Sequence, residues 1–328
     1  MTRLAFALIL LVLAPGYAGL AGAGAQDRYE LPEPYLSWER AYLGQSPRLQ
    51  GIMDAMVKIT VAQLKEPEQD ILHNRVTSAL VYKMAIDLKL PQDTQRLALV
   101  ADLLHNIDKE EKAAVLTDAE VMRRCDDMIV RLRAAGYFKS SPRFWTDTEV
   151  LRISKVGANR GLIHHITSGL AAGRIMSEVG GFSTEEVARV QAAIVAHSTG
   201  YWYFRASIDQ LVGRKAAWQV VYPEPESIMD KLVHDADLIS QFVPESVVPD
   251  GSKWRALAKD RWGANGTRQE AHVVYYVFQR LFDEAKTEQG RQLAREKWDV
   301  IRPELLKLMN LRGADDPAKV LGVPKAFQ

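Results

Sequence analysis

The chain has 328 residues and a nearly balanced charge, with 42 lysine and arginine residues against 41 aspartate and glutamate residues. No basic stripe indicates binding to nucleic acid, and no long run of like charge indicates a solvated tail. The only cysteine is Cys125, which excludes an intramolecular disulfide. The remaining candidates are proteins that build a core of their own and act on small molecules or on other proteins.

The first 25 residues have the three-part layout of a secretory signal peptide. Arg3 supplies a basic region, residues 4–14 form an unbroken apolar run, and a small-residue stretch ends at Ala25. Because the apolar run is short for a bilayer span, we predict cleavage after Ala25 and no stable membrane span afterwards. An uncleaved anchor is the alternative. The predicted location is periplasmic or secreted.

The next segment, residues 26–50, is rich in proline, tyrosine, arginine and glycine and is predicted to form an N-terminal arm. Apolar side chains then recur at helical spacing, as at Val76, Leu80 and Met84. Strand signals are sparse. We therefore predict an all-α fold, with a helical domain over residues 51–243.

Capping signals divide this helical region. Ser183 opens a capping box, Ser-Thr-Glu-Glu, for a helix predicted to end at His197. Residues 244–266 contain proline and glycine and are predicted to form a long loop. Two further helices are predicted over residues 268–310. The loop and these helices form a C-terminal extension, residues 244–328, that is expected to pack on the same domain.

Four of the seven histidines are spaced in a repeated way. His105 follows His73 by 32 residues, and His197 follows His165 by the same interval. Each pair brackets two predicted helices, so each is expected at the open end of a helix hairpin, where the four imidazoles can converge. Buried imidazoles need partners, because an unpaired buried polar group costs roughly 1–3 kcal/mol. A shared metal ion would satisfy several of them.

These residues belong to six segments that together resemble the HD-domain superfamily, whose members bind one or two divalent metals through an H…HD…D pattern. Many members have two further histidines between the HD pair and the final aspartate of this pattern. The matching segments are HNRV (73–76), LLHNIDK (103–109), HITSGL (165–170), AIVAHS (193–198), KLVHDADLIS (231–240) and TEQGRQLAREKWDVIRPEL (287–305). The resemblance implies an HD-domain-like helical bundle that hydrolyses phosphate esters or nucleotides at a divalent metal.

The resemblance also implies roles for individual residues. The implied metal ligands are His73, His105, Asn106, His165, His197 and Asp237. The implied cofactor is Mn, Fe, Zn or Mg, and the implied partner is a phosphorylated small molecule. Lys109 is expected to contact phosphate, and either Arg75 or Arg160 assists it or both are solvated surface charges.

The chain departs from the family pattern at the defining aspartate, which is Asn106 here, and at the following glycine, which is Asp108. An amide oxygen can bind a metal but brings no charge and cannot bridge two metals. The negative charge is expected either to be supplied by Asp108 instead, which makes Asp108 a candidate catalytic residue, or to be lost from the site. Asp102, one helical turn before His105, is another candidate. A single-metal site is favoured.

Two histidine assignments stay open. His164 competes with His165 for one ligand position, and the equal hairpin spacing favours His165. His234 lies one helical turn before Asp237. It either supports the carboxylate of Asp237 or is a surface histidine.

The predicted function is a metal-dependent phosphohydrolase that acts on a small phosphoester or nucleotide outside the cytoplasm. One alternative is an HD-fold iron oxygenase, although Asn106 removes the bridging carboxylate that an iron pair needs. Another is a non-catalytic metal-binding module that acts as a sensor or scaffold. In that case the aromatic segment 201–204 would line a ligand pocket or partner surface, unless it packs in the core.

Overall fold

The computed structural model describes residues 31–63, 67–108, 119–141, 164–198, 222–241, 258–259 and 262–327. Within these ranges the regular elements are all helices and none is a strand, which confirms the all-α prediction. The predicted signal peptide, Lys109, Arg160 and the aromatic segment 201–204 lie outside the described residues. No helix in the described ranges is long and apolar enough to cross a bilayer.

The described α-helices are numbered here in chain order. They are α1 (Tyr35–Leu43), α2 (Pro47–Gln63), α3 (Pro67–Asp87), α4 (Gln92–Leu104), α5 (Ala119–Ala134), α6 (His164–Val179), α7 (Thr184–Ala196), α8 (Ile228–Ser240), α9 (Thr267–Leu281), α10 (Glu288–Leu308) and α11 (Pro317–Leu321). Short 3₁₀ turns follow α9 at Phe282–Glu284 and α11 at Lys325–Phe327.

The core consists of two helix hairpins joined by α8. Helices α3 and α4 form the first hairpin, and α6 and α7 form the second. Helix α4 packs against α7, and α8 packs against α3, α4 and α7. The inner faces of these helices are fully buried, so α8 lies where the two hairpins meet.

The predicted start of α7 and the predicted ends of α4 and α7 are confirmed. The hydroxyl of Ser183 accepts the backbone N–H of Glu186 at 3.2 Å, and the carboxylate of Glu186 accepts the backbone N–H of Ser183 at 2.8 Å. Helices α4 and α7 end with His105 and His197 at their C-caps. The prediction that a helix begins at His73 is wrong, because α3 already begins at Pro67.

The predicted N-terminal arm contains a helix that belongs to the core. Tyr35, Glu39 and Tyr42 recur along one face of α1 and are all buried. The guanidinium of Arg75, on α3, donates to the two carboxylate oxygens of Glu39 at 2.7 and 2.6 Å. Arg75 is only 2% exposed, so the prediction of a solvated surface charge is wrong for this residue.

The C-terminal part contains the two predicted helices, observed as α9 and α10. Helix α10 packs against α8 and α9, with Trp298 and Ile301 on its buried side. The hydroxyl of Thr287 caps α10 by accepting the backbone N–H of Gly290 at 2.9 Å. Helix α10 therefore packs directly on α8, the helix that carries Asp237.

Candidate metal centre

Three of the predicted ligands lie together where α3, α4 and α8 meet. The Nε2 atoms of His73 and His105 are 3.2 Å apart, and Oδ1 of Asp237 is 3.3 Å from Nε2 of His73. The same Oδ1 is 3.9 Å from Nε2 of His105. One ligand atom from each residue lies within 4.8 Å of the others, so this group can hold a metal ion. We call it the first ligand group.

The ends of α4 and α7 fix the tautomers of two histidines. Nδ1 of His105 lies 2.5 Å from the carbonyl oxygen of Asp102, and Nδ1 of His197 lies 2.5 Å from that of Ile194. A carbonyl can only accept, so each neutral ring carries its proton on Nδ1 and its lone pair on Nε2. Each of these carbonyls also accepts the backbone N–H of the same histidine at 3.3 Å, and its second lone pair can accept the ring N–H. Metal-binding histidines commonly use this arrangement.

A second pair of imidazoles lies beside the first ligand group. Nε2 of His164 and Nε2 of His197 are 3.3 Å apart, and the rings of His105 and His197 have centroids 4.8 Å apart. His73, His105, His197 and His164 therefore form a continuous series of rings. The convergence expected from the hairpin spacing is observed for His73, His105 and His197, and the fourth ring of the series is that of His164.

The contacts favour His164 over His165 as the fourth histidine. The ring of His165 lies against Tyr222, with centroids 4.9 Å apart and an interplanar angle of 33°. Neighbours on an α-helix point about 100° apart, so only one of the pair can face His197. The preference for His165 rested on the equal spacing of the hairpins, whereas the observed ring contacts favour His164.

Asp237 is the acidic member of the first ligand group. Burial alone would raise the pKa of its carboxyl, but the hydrogen bond from His73 and the charges of the neighbouring histidines hold it well below its usual range. Burial lowers the pKa of His105 and brings the pKa of His197 down to about 4. Asp237 thus supplies a carboxylate, and the lowered pKa values of His105 and His197 favour neutral imidazoles, which is the protonation state that metal binding requires.

Asn106 contributes an amide to the same place. Its Nδ2 lies 2.7 Å from Nε2 of His105, and the residue is only 3% exposed. An amide placed in this way donates to the imidazole lone pair. Rotation of the amide by 180° exchanges its nitrogen and oxygen and would turn the donor into a potential ligand. The position expected for a second ligand is thus occupied by a neutral group.

The two other predicted anions have different surroundings. The backbone N–H of Asp108 donates to the hydroxyl of Ser168 at 3.0 Å, which ties the end of α4 to α6. Oδ2 of Asp102 accepts from Thr77 at 2.7 Å and from Ser78 at 2.8 Å, and burial raises the pKa of Asp102 to about 8. Among the described residues, neither aspartate belongs to the first ligand group.

His234 is buried, so its interpretation as a surface histidine is wrong. Its Nδ1 lies 3.1 Å from Oδ1 of Asp235, so the carboxylate beside it is Asp235 rather than Asp237. Sequence reasoning did not anticipate a role for Asp235. The sequence offers Thr287 as a possible N-cap, but nothing in the sequence indicates that this cap contacts α8.

The chain was also compared with protein-family models, with curated proteins and with solved structures. No match is found. The assignment of the centre therefore rests on ligand chemistry, burial and the distances between side chains.

Proposed function

We propose that the chain is a metal-dependent hydrolase of small phosphate esters that holds one divalent ion with His73, His105 and Asp237. The observation that carries the proposal is the convergence of two imidazole nitrogens and one carboxylate oxygen within 4.8 Å. Imidazole together with carboxylate suits zinc, iron and manganese. Magnesium is less suited because it prefers an all-oxygen shell.

The surroundings of His105 support this fit. Its Nδ1–H is used by the carbonyl of Asp102, so the lone pair on Nε2 points toward His73 and Asn106. The Nε2 of His73 is only 3.2 Å away. Two nitrogen lone pairs at this distance repel each other, whereas a shared cation or a proton on one ring makes the approach favourable.

Three protein ligands leave coordination positions for water and for substrate. A divalent ion in such a site polarises a phosphoryl oxygen and lowers the pKa of a bound water. The adjacent pair, His164 and His197, is placed to orient the substrate or a water molecule. The amide of Asn106 can donate to a phosphoryl oxygen, and Lys109 remains a predicted phosphate contact. We extend the proposal to action outside the cytoplasm on the strength of the signal-peptide pattern.

The proposal is tested with the purified full chain. Metal content is measured first, and a panel of phosphomonoesters and phosphodiesters is then assayed with added Mn, Fe, Zn or Mg. We expect turnover that is lost in both His105→Ala and Asp237→Asn. His272→Ala serves as a matched control, because His272 lies on α9 and its Nε2 contacts the carbonyl of Gly322 at 3.1 Å. Metal binding without turnover of any ester would overturn hydrolysis.

A second candidate is a non-catalytic metal-binding module. The observation in its favour is Asn106, whose uncharged amide lies against His105 in the position expected for a second carboxylate. Metal binding by the wild-type chain with no hydrolysis would support this candidate. If Asn106→Asp leaves both metal affinity and activity unchanged, its main support disappears. An iron oxygenase ranks lower; iron content near two per chain with a mixed-valence spin signal would revive it.

A further inference from the structure

One buried carboxylate contacts both α8 and the start of α10. Asp235 is fully buried, and its Oδ2 accepts the backbone N–H of Thr287 at 2.8 Å and the Thr287 hydroxyl at 2.6 Å. Its Oδ1 accepts the backbone N–H of Lys286 at 2.8 Å and lies 3.1 Å from Nδ1 of His234. The Asp235 side chain therefore contacts both the residues that begin α10 and a histidine of α8.

The start of α10 is shaped to admit this carboxylate. The Thr287 hydroxyl donates to Asp235 and accepts from the backbone N–H of Gly290 at 2.9 Å. A Cβ atom on Gly290 would overlap the carboxylate of Asp235. Glycine at this position is thus required for the close approach of α10 to α8, and any larger residue must displace Asp235.

His234 lies on the face of α8 that carries Asp237, one helical turn earlier. It is buried. Helix α8 packs against α7, which carries His197 at its C-cap. Since Asp235 accepts from Nδ1 of His234, the lone pair of that ring lies on Nε2. The orientation of His234 therefore depends on Asp235.

We propose that Asp235 is a positioning residue that couples the C-terminal helix α10 to the metal centre, by orienting His234 with the carboxylate that also fastens Thr287. This inference rests on the proposed metal centre. Detachment of Thr287 removes two of the hydrogen bonds that hold Asp235. The carboxylate then reorients, His234 loses its fixed position on the face of α8 that carries Asp237, and metal affinity falls.

A purely structural cap would behave differently. Loss of such a cap lowers stability but leaves the affinity of the folded protein for metal unchanged. The matched control is Ser183→Ala, because Ser183 caps α7 through its hydroxyl at the end opposite His197. An N-cap substitution of this kind costs roughly 0.5–2 kcal/mol of stability. The control therefore reproduces the destabilisation without touching Asp235.

The test uses the full chain with Thr287→Val, Gly290→Ala and the conservative Thr287→Ser, each compared with Ser183→Ala well below its Tm. The first readout, on metal-free protein, is the imidazole ¹H–¹⁵N correlation of His234, assigned by its loss in His234→Gln. The second is the Kd for Zn²⁺ or Co²⁺, by calorimetry and by the visible spectrum of the Co²⁺ protein. Substitutions in the outer shell of metal sites typically weaken binding 10–100-fold.

We expect Thr287→Val and Gly290→Ala to shift the His234 signal and to raise the Kd by about tenfold or more. Thr287→Ser and Ser183→Ala should keep the wild-type values. If Thr287→Val lowers the Tm but matches Ser183→Ala in both readouts, this inference is overturned while the metal centre stands. If the wild-type chain binds neither Zn²⁺ nor Co²⁺, the proposed function is overturned, and the coupling to metal with it.

Discussion

The two helix hairpins present their histidines in the same way but are held by different chemistry. Each ends its second helix with a histidine whose Nδ1 contacts the carbonyl three residues earlier at 2.5 Å. Each also pairs that histidine with one on its first helix through Nε2 atoms 3.2 or 3.3 Å apart. The backbone arrangement is thus repeated, down to the tautomer.

The difference lies in charge. The first hairpin contacts Asp237, and a buried ion pair between Arg75 and Glu39 fastens its first helix to α1. In the second hairpin a neutral amide joins the two helices, since Nε2 of Gln191 donates to the carbonyl of Gly169 at 3.0 Å. The comparison teaches that helix ends suffice to orient imidazoles, and that the carboxylate of Asp237 is what brings the first pair to three ligand atoms.

The largest expected contrast concerns stability. Glu39→Gln leaves the guanidinium of Arg75 buried without its counter-charge, which costs about 3–5 kcal/mol. Gln191→Leu removes the hydrogen bond to the carbonyl of Gly169 and one from the guanidinium of Arg131, and it should cost less, about 1–3 kcal/mol. Urea unfolding of the metal-free proteins measures both values. Equal losses in the two variants would contradict the proposed difference between the hairpins.

Metal affinity should separate the two histidines at the helix ends. His105→Ala removes a member of the first ligand group and should raise the Kd for Zn²⁺ at least about a hundredfold, or about 2.7 kcal/mol. His197→Ala should raise it less than about tenfold. Calorimetric titration of each variant gives the comparison. Similar losses would show that the second pair binds the ion as strongly as the first.

A carboxylate at position 106 should increase the difference in metal affinity between the two hairpins. Asn106→Asp replaces an amide, 2.7 Å from Nε2 of His105, with a charged ligand. We expect the Kd for Zn²⁺ to fall about tenfold, or about 1.4 kcal/mol. Asn74→Asp is a poor control because Asn74 is fully buried, so exposed Asn310→Asp is used instead. Unchanged affinity would mean that residue 106 does not reach the ion.

The pH dependence of the first hairpin provides a smaller effect. Burial raises the pKa of Asp102 to about 8 in the folded chain, above its unfolded value near 4. Its contribution to stability is therefore complete below about pH 4 and is lost as pH rises through about 8. Relative to wild type, Asp102→Asn should gain stability as pH rises through this window, because an amide does not titrate. A constant difference between pH 4 and pH 8 would contradict the assignment.

The second hairpin should show the opposite sign. The pKa of His197 is lowered to about 4, below its unfolded value of about 6.5, mainly by burial. Its contribution to stability is complete above about pH 6.5 and is lost as pH falls through about 4. His197→Gln should flatten the acid side of the metal-free stability profile by on the order of 1 kcal/mol. An unchanged acid side would contradict a buried neutral imidazole.

The sequence predicted the helical fold and the capping box at Ser183, because these depend on local periodicity and on residue types. The group of His73, His105 and Asp237 was expected from the resemblance to the HD-domain superfamily, and its three ligand atoms lie close together. The spacing of residues left the choice between neighbours such as His164 and His165 open. A count of residues does not specify which way a helix is rotated about its axis, and one residue changes the direction of a side chain by about 100°.

The sequence also did not predict contacts between residues that are far apart along the chain. Glu39 meets Arg75 across 36 residues, and Asp235 meets Thr287 across 52. Nothing local to α1 or to α10 indicates these contacts, because they depend on how whole helices dock. The predicted arm was accordingly separated from the core that it helps to form.

The carbonyl acceptors of His105 and His197 belong to the main chain, and this has a consequence for mutational robustness. Any residue placed at position 102 or 194 still supplies the same oxygen, so no side-chain replacement deletes the acceptor. The ring direction can be lost only by moving or fraying the last turn of α4 or α7. Variants that selectively disorder these two ends are therefore expected to inactivate the centre while every ligand remains in the sequence.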